Sequence, residues 1–131
     1  MHPYKKDLQE VWKSCKAMFV KSSFVRTTTV FSLFLLAATT ILPVWRLLPL
    51  AVESPFIALH YNIYLGVDRF GSVYQIFYIP ALGLLVLLLN LFIQASSFRT
   101  QKMLSLFFAS ATPCLQGILF VAMMLIVLIN V

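Results

Sequence analysis

Charged residues are scarce in this chain. Only 11% of its 131 residues are Asp, Glu, Lys or Arg, whereas 61% are hydrophobic. A soluble domain usually carries about 25% charged and about 45–50% apolar residues. The composition therefore excludes an ordinary soluble fold and favours a membrane as the solvent. Acidic residues are rarest, and four of them against ten basic ones give a formal net charge of +6. Because most basic residues lie near one end of the chain, outside any globular domain, we expect no nucleic-acid partner.

Cysteine is also rare, and the common catalytic motifs are missing. Cys15 lies in a basic segment and Cys114 in an apolar run, so we expect no disulfide between them. The sequence has no Walker loop, no CxxC pair, no HExxH and no Gly-x-Ser-x-Gly. We therefore predict no cofactor and no metal site, and a protein that is not an enzyme.

Three uncharged apolar runs cover residues 27–45, 72–98 and 103–130. Each is long enough to cross about 30 Å of hydrocarbon, and unpaired backbone groups in lipid require such segments to be helical. A cleaved signal peptide is the alternative for the first run, but 26 residues precede it and Ile-Leu-Pro-Val-Trp ends it in place of small residues. The sequence predicts an all-α membrane protein, residues 1–131 forming one membrane domain.

The absence of Asp, Glu, Lys, Arg and His from all three runs limits what the membrane region can do. It excludes a proton relay, a voltage sensor and an ion-coordinating carboxylate at the membrane centre. Three helices without an evident inverted repeat also make a poor transporter alone. A pore or carrier would require self-assembly or a partner.

Basic residues fix the expected orientation. Eight of the ten lie before the first run or between the second and third, and only Arg46 and Arg69 lie between the first and second. The positive-inside rule then places the N-terminus and residues 99–102 in the cytoplasm, and residues 46–71 and the C-terminus outside. An aromatic belt at the outer interface is consistent with this orientation and comprises Trp45, Tyr74, Phe77 and Tyr78.

Residues 3–25 have the pattern of an amphipathic helix that begins at Pro3 and lies in the inner headgroup layer. Tyr4, Leu8, Val11, Trp12, Cys15, Met18, Phe19 and Ser22 follow its apolar face. The basic residues expected to meet anionic headgroups are Lys5, Lys6, Lys13, Lys16, Lys21 and Arg26. Each such residue gains about 1 kcal/mol near an anionic surface. The helix is either an anchor that orients the first span or a docking helix for a partner.

Polar and small residues form stripes on the second and third runs, a pattern typical of helix packing in membranes. The candidate packing residues are Thr39, Thr40, Gly83, Asn90, Thr112 and Gln116. Their heights along the helices predict that Asn90 meets Thr112, and that Gln116 meets Thr39, Thr40 or the backbone beside Gly83. We also expect bends at Pro80 and Pro113, and a capping box in which Ser72 and Gln75 start the second helix.

The segment between the first two runs contains the candidate binding residues, which are His60, Tyr61, Asn62, Tyr64 and Asp68. A His and an Asp could orient one another for acid–base chemistry, although two ligands are too few for structural zinc. Polar and apolar residues alternate from Leu59 to Gly66, which favours an extended segment over a short helix. Such a segment could cap the outer ends of the helices or form an edge that binds a partner.

The run Ala58 to Asp68, ALHYNIYLGVD, is followed by the aromatic-rich YQIFYIP of residues 74–80. Together these resemble a family of small uncharacterised bacterial inner-membrane proteins in which an LHYNIYxGxD segment joins two membrane helices. The resemblance covers roughly residues 55 to 95. It implies a bacterial inner-membrane location and the same loop-to-helix arrangement, and no activity.

From these observations we predict an accessory or assembly subunit that packs against itself or a larger membrane complex, with membrane lipids as further partners. One alternative is a ligand-binding protein, or an enzyme acting on lipid headgroups or envelope precursors, that uses residues 60–68. A self-assembled pore or carrier is the second alternative.

Overall fold

A computed structural model describes the backbone of residues 3–52 and 56–131, and the side chains within those ranges from Trp12 onward, except Ala51. The helices are α1 (Pro3–Lys21), α2 (Ser23–Arg46), α3 (Tyr78–Ser97) and α4 (Lys102–Leu128). Between α2 and α3 lie two antiparallel strands, β1 (Phe56–Asn62) and β2 (Gly66–Ser72). Short 3₁₀ helices at Pro49–Val52 and Val73–Phe77 flank the strands. The helical membrane region agrees with the predicted class, whereas the two strands depart from an all-α chain.

Three segments are long and apolar enough to cross a membrane, as predicted: Ser23–Arg46, Val73–Ser97 and Lys102–Leu128. Their 24 to 27 residues correspond to about 36–40 Å of helix at about 1.5 Å per residue. The described chain therefore has the spans of a multi-pass membrane protein. We call the end of the bundle that carries β1 and β2 the hairpin end, and the opposite end, with Arg26 and Lys102, the basic end.

Helix α4 is the centre of the bundle. It packs extensively against both α2 and α3, which contact each other less. Ser105, Ala109, Thr112 and Gln116 form its buried stripe in the basic half, and Met123 and Val127 continue the stripe towards the hairpin end. The facing stripe of α3 consists of Pro80, Gly83, Leu87, Asn90 and Gln94. These are the stripes that the sequence predicts, since a spacing of three and four residues keeps side chains on one helix face.

A polar seam of Asn90, Gln94, Thr112 and Gln116 lies in the middle of this interface. The amide of Asn90 donates to the Thr112 hydroxyl at 3.0 Å, and the Gln116 amide donates to the Gly83 carbonyl at 2.7 Å. Both contacts were predicted, the second as one of two alternatives. Among the described residues, the Oε1 atoms of Gln94 and Gln116 are buried without a hydrogen-bond partner. The seam therefore holds the helices together with less than its full hydrogen-bonding capacity.

Helix α2 packs through small and hydroxylated residues. Thr39 is buried and Thr40 half-buried, and each hydroxyl donates at 2.8 Å to its own helix, Thr39 to Leu35 and Thr40 to Leu36. Neither hydrogen-bonds Gln116, so the alternative that paired Gln116 with these threonines is wrong. Bonding back to the preceding turn satisfies a hydroxyl in lipid without a partner helix.

Apolar clusters close the two ends of the bundle. The hairpin-end cluster consists of Leu47, Ile57, Val73, Ile76, Met123 and Val127. The basic-end cluster consists of Met18, Val25 and Ala109. Through Met18, α1 packs against the basic ends of the spans, and the Ser105 hydroxyl lies 3.9 Å from the Met18 sulfur. Helix α1 is therefore attached to the bundle by its apolar face.

The packed face of α1 is narrower than the predicted one. Cys15 and Phe19 contact the basic-end cluster, whereas Trp12 is 71% exposed and shares a shallow groove with the exposed Lys16 and Val20. The helix ends at Lys21, and Ser22 caps α2 by accepting from the Val25 amide at 3.3 Å. Tyr4, Leu8 and Val11 are among the residues whose side chains lie outside the described part.

The capping box predicted at the start of the second span is wrong. Ser72 ends β2 and makes no side-chain capping bond, so the capping box is not formed. Helix α3 begins only at Tyr78, which places Pro80 in its first turn, where proline removes no hydrogen bond within the helix. Pro113, in contrast, lies inside α4, which is continuous through it.

Candidate functional site

The segment between the first two spans forms a β-hairpin. Asn62 pairs with Gly66, and Ile63, Tyr64 and Leu65 form the turn. The Asn62 side chain accepts from the Tyr64 amide at 2.9 Å, and Gly66 has a φ of 74°, the left-handed conformation that glycine adopts without strain. An Asn that bonds the backbone two residues on and a glycine at the end of a three-residue turn are typical hairpin chemistry.

Two compensating bulges distort the hairpin. Ala58 pairs with Phe70, His60 with Arg69 and Tyr61 with Val67, so Leu59 and Asp68 have no partner in the register. Bulges bend a strand and re-aim its side chains. Leu59 is thereby placed against the hairpin-end cluster. Nearby, a Cβ added to Gly71 would overlap the ends of the Leu59 and Gln75 side chains, so these two side chains lie directly against the glycine.

The second bulge brings Asp68 to His60. The Nδ1 atom of His60 lies 2.7 Å from Oδ1 of Asp68, with 64% and 33% of the two side chains exposed. An ionised carboxylate can only accept, so Nδ1 carries the proton and donates, and Nε2 faces away from the pair. At this exposure the pair stabilises the fold by at most about 1 kcal/mol. Its main effect is to fix the orientation of the imidazole ring.

His60 and Asp68 line an open pocket of about 560 Å³ at the hairpin end. Arg69, Gln75 and Tyr78 complete its polar side, and Leu59, Ile79 and Ile126 form its apolar side. The volume lies within the range of small-molecule sites, about 300–1,000 Å³. We call this space the polar pocket.

A second space lies between β1 and α4. This apolar cleft, of about 400 Å³, is lined by Leu59, His60 and Tyr61 on one side and by Ala122, Leu125, Ile126 and Ile129 on the other. The four α4 residues are spaced as one helix face. Because Leu59, His60 and Ile126 line both spaces, the polar pocket and the apolar cleft are neighbours.

Asn130 fixes the hairpin to the bundle. Its Oδ1 atom accepts from the Ala58 amide at 2.8 Å, and its Nδ2 atom donates to the Ala58 carbonyl at 2.7 Å and to the Ile126 carbonyl at 2.8 Å. One side chain thus satisfies both backbone groups of Ala58 at the position just before the bulge. From the sequence alone, Asn130 is the last residue of the third apolar run, and no contact was predicted for it. Its isolated polar character after a long apolar run was the available signal.

The five candidate binding residues separate in the structure. His60 and Asp68 meet at the polar pocket, Tyr61 lines the apolar cleft, and Asn62 binds the turn backbone. Tyr64 lies at the turn with 92% of its surface exposed. Sequence reasoning missed Arg69, Gln75 and Tyr78 as pocket residues. Arg69 could have been found as the cross-strand neighbour of His60, but only once the register was known.

Other candidate residues lie far from this pocket. Lys13, Lys16, Lys21 and Arg26 are exposed near the basic end, and the side chains of Lys5 and Lys6 lie outside the described part. Lys13, Lys16 and Lys21 border a shallow groove with Trp12 and Val20. Within the residues that the structure describes, no three His, Cys, Asp or Glu side chains are grouped to hold a metal ion.

No protein-family model, curated protein or solved structure matches the chain. The resemblance of residues 55–95 to small bacterial inner-membrane proteins therefore stays a prediction.

Proposed function

We propose that this chain is a non-enzymatic accessory or assembly subunit of a complex in the bacterial inner membrane. The observation that carries the proposal is the hairpin turn, where Ile63, Tyr64 and Leu65 are 81%, 92% and 76% exposed. These apolar side chains stand on an ordered hairpin that Asn130 holds against the bundle. Exposed apolar groups on a rigid element favour contact with a partner, because little ordering is needed on binding.

The character of the spans supports the same proposal. Several of their buried polar side chains hydrogen-bond a neighbouring helix, as in Asn90 with Thr112 and Gln116 with the Gly83 carbonyl. Such contacts hold helices together in lipid. The membrane region therefore has ample packing surface, and residues 27–45, 72–98 and 103–130 contain no Asp, Glu, Lys, Arg or His to drive transport.

We further propose that the N-terminus lies in the cytoplasm and the C-terminus outside. The exposed side chains of Lys13, Lys16, Lys21 and Arg26 support this orientation, since the basic end would then face the anionic inner leaflet. The hairpin and its turn would face the cell exterior, where they could meet a partner subunit.

Gentle solubilisation, followed by mass determination and identification of co-purifying chains, tests the subunit proposal. We expect a stoichiometric partner or a second copy with the wild-type chain. The double variant Ile63→Ser, Leu65→Ser should lose it. Val52→Ser is the matched control, because Val52 is equally exposed but lies on the 3₁₀ helix before the hairpin. A stable monomer from wild-type cells would overturn the proposal.

A second function is favoured by the polar pocket. There we propose that the hairpin end binds a ligand from the outer face of the membrane. The support is the oriented His60–Asp68 pair within a space large enough for a small molecule. The two functions are compatible, since the turn and the pocket occupy different parts of the hairpin.

A further inference from the structure

The polar pocket and the apolar cleft lie side by side at the hairpin end and have three lining residues in common. Both spaces are lined by Leu59, His60 and Ile126. Beyond these residues the pocket is lined by polar side chains, and the cleft is lined by the apolar face of α4. A ligand that fills both spaces needs a polar head and an apolar chain.

The charges of the polar pocket select the head. Among the described residues that line it, Asp68 is the only acidic one, and that carboxylate already accepts from His60. The side chain of Arg69 forms no ion pair or hydrogen bond with the other residues of the described ranges. The remaining groups around it include donors: the Gln75 amide and the Tyr78 hydroxyl. Arg presents a planar fork of donors that matches a phosphate or carboxylate, so the site favours an anionic head over a cationic one.

The position of the site relative to the membrane indicates an apolar acyl chain on the ligand. Tyr78 is the first residue of α3, and Ile126 lies in the last turn of α4, so the polar pocket is at the depth where the spans end. The apolar cleft runs from there along α4 towards Ala122, that is, towards the membrane centre. An acyl chain in this cleft would lie beside the helix with its head at the membrane surface.

We propose that this composite site binds one anionic amphiphile, a lipid whose phosphate or carboxylate head contacts Arg69 and His60 and whose acyl chain occupies the cleft between β1 and α4. The proposal rests on the second function given above, ligand binding at the hairpin end. When the lipid binds from a bilayer, its acyl chain merely exchanges one apolar environment for another. Selectivity must therefore come from the head, and the test is of headgroup preference.

The experiment uses the full-length protein in zwitterionic nanodiscs or mild detergent. The protein is titrated with phosphatidylglycerol or with phosphatidylcholine of the same acyl chains, and bound lipid is measured by native mass spectrometry. A charge-assisted contact to the head predicts about tenfold tighter binding of phosphatidylglycerol. Arg69→Gln should reduce the difference to less than about twofold. Arg46→Gln is the matched control, because Arg46 lies at the same end of the bundle but stacks on Trp45 and does not line the pocket.

Inorganic phosphate, titrated separately, distinguishes a lipid from a free anion. Ala122→Phe should fill the cleft and weaken phosphatidylglycerol binding while leaving any phosphate binding unchanged. Equal binding of phosphate and lipid, with no effect of Ala122→Phe, would overturn the proposal that the ligand has an acyl chain in the cleft. No headgroup preference in the wild-type chain, or equal losses in Arg69→Gln and Arg46→Gln, would overturn the anionic head.

A second measurement distinguishes failure of the anionic-lipid proposal from failure of the proposed ligand-binding function. The imidazole NMR signal of His60, in a His2→Gln background, reports any occupant of the pocket. If it shifts equally with both lipids, ligand binding stands and the anionic class is wrong. If it shifts with neither, both proposals fail. Unchanged melting temperatures of the variants show that they fold.

Discussion

Asn130 shows how much of the hairpin end depends on a single residue. Two hydrogen bonds between its side chain and the Ala58 backbone join β1 to the residues that directly follow α4. They fix the strand at the point where the bulge begins, and therefore the positions of Leu59 and His60. The pocket geometry is thus set from outside the hairpin, by the end of a membrane span.

Replacing Asn130 with Ala should loosen the hairpin while the spans stay folded. Unpaired groups on Ala58, which is buried, cost about 1–3 kcal/mol of stability. We expect a lower melting temperature in detergent and faster hydrogen exchange of the Ala58 amide. Val131→Ala, an exposed neighbour, should change neither. Ala58 exchange that stays as slow as in the wild type would contradict this role of Asn130.

Gly83 and Gly117 make a second residue-scale test, because both are glycines of the packed helices. A Cβ on Gly83 would lie 3.0 Å from both the Gln116 Oε1 atom and the Leu36 Cδ1 atom, whereas one on Gly117 would meet nothing within 4 Å. Gly83→Ala should therefore lower the melting temperature, by the equivalent of about 1–3 kcal/mol. Gly117→Ala should leave it unchanged or raise it slightly, since Ala favours helix. Equal melting of the two variants would rule out close packing at Gly83.

At the scale of elements, the helices could be predicted and the hairpin could not. The stripes of α3 and α4 follow from helical spacing, and Asn90 and Thr112 could be matched by their heights alone. Strand β2 has no such pattern, since GVDRFGS contains two glycines and two charges in seven residues. It is a strand because β1 pairs with it. The two bulges that join His60 to Asp68 shift the register locally, which no sequence alternation encodes.

The capping box failed for a related reason. Ser72 and Gln75 have the required spacing, but Ser72 pairs with Phe56 as the last residue of β2. Tertiary pairing of the strand outweighs a local capping preference, and a 3₁₀ helix makes the transition into α3. On α1, the predicted apolar face included Trp12, which lies on the same side of the helix as the exposed Val20, because periodicity does not show how wide a face the bundle covers.

Helix α1 gives an element-scale prediction through Cys15. Partial burial against the basic-end cluster raises the pKa of its thiol, because desolvation disfavours the thiolate. At a given pH below that raised pKa, Cys15 has a smaller thiolate fraction than a solvated thiol. In a Cys114→Ser background, its maleimide reaction should therefore be several-fold slower near neutral pH and should accelerate at higher pH than that of a solvated thiol.

The matched control is Lys16→Cys in a Cys15→Ser, Cys114→Ser background, because Lys16 is the exposed neighbour on the same helix. Equal rates and pH profiles for the two thiols would show that α1 does not pack on the bundle in the membrane.

At the scale of the whole molecule, the core has three layers. Apolar clusters close the two ends, and the polar seam lies between them. Lipid is as apolar as the side chains, so burial alone does not drive helix association there. The polar contacts and small residues of the middle layer must therefore supply much of the specificity of packing. The spans and the polar seam could be predicted from the sequence, and residues 60–68 indicated the end that holds the pocket; the apolar end clusters depend on tertiary contacts and could not be predicted.

The orientation of the whole chain is the remaining prediction. Tyr64 at the turn and Lys16 on α1 lie at opposite ends of the bundle, and both are exposed. In a chain without Cys15 and Cys114, an impermeant maleimide added to intact cells should label Tyr64→Cys and spare Lys16→Cys until the membrane is broken. The basic residues near the inner leaflet are the physical reason. The reverse labelling pattern would place the basic end outside. It would also move the proposed lipid site to the cytoplasmic leaflet, where its candidate lipids would have to come from that side.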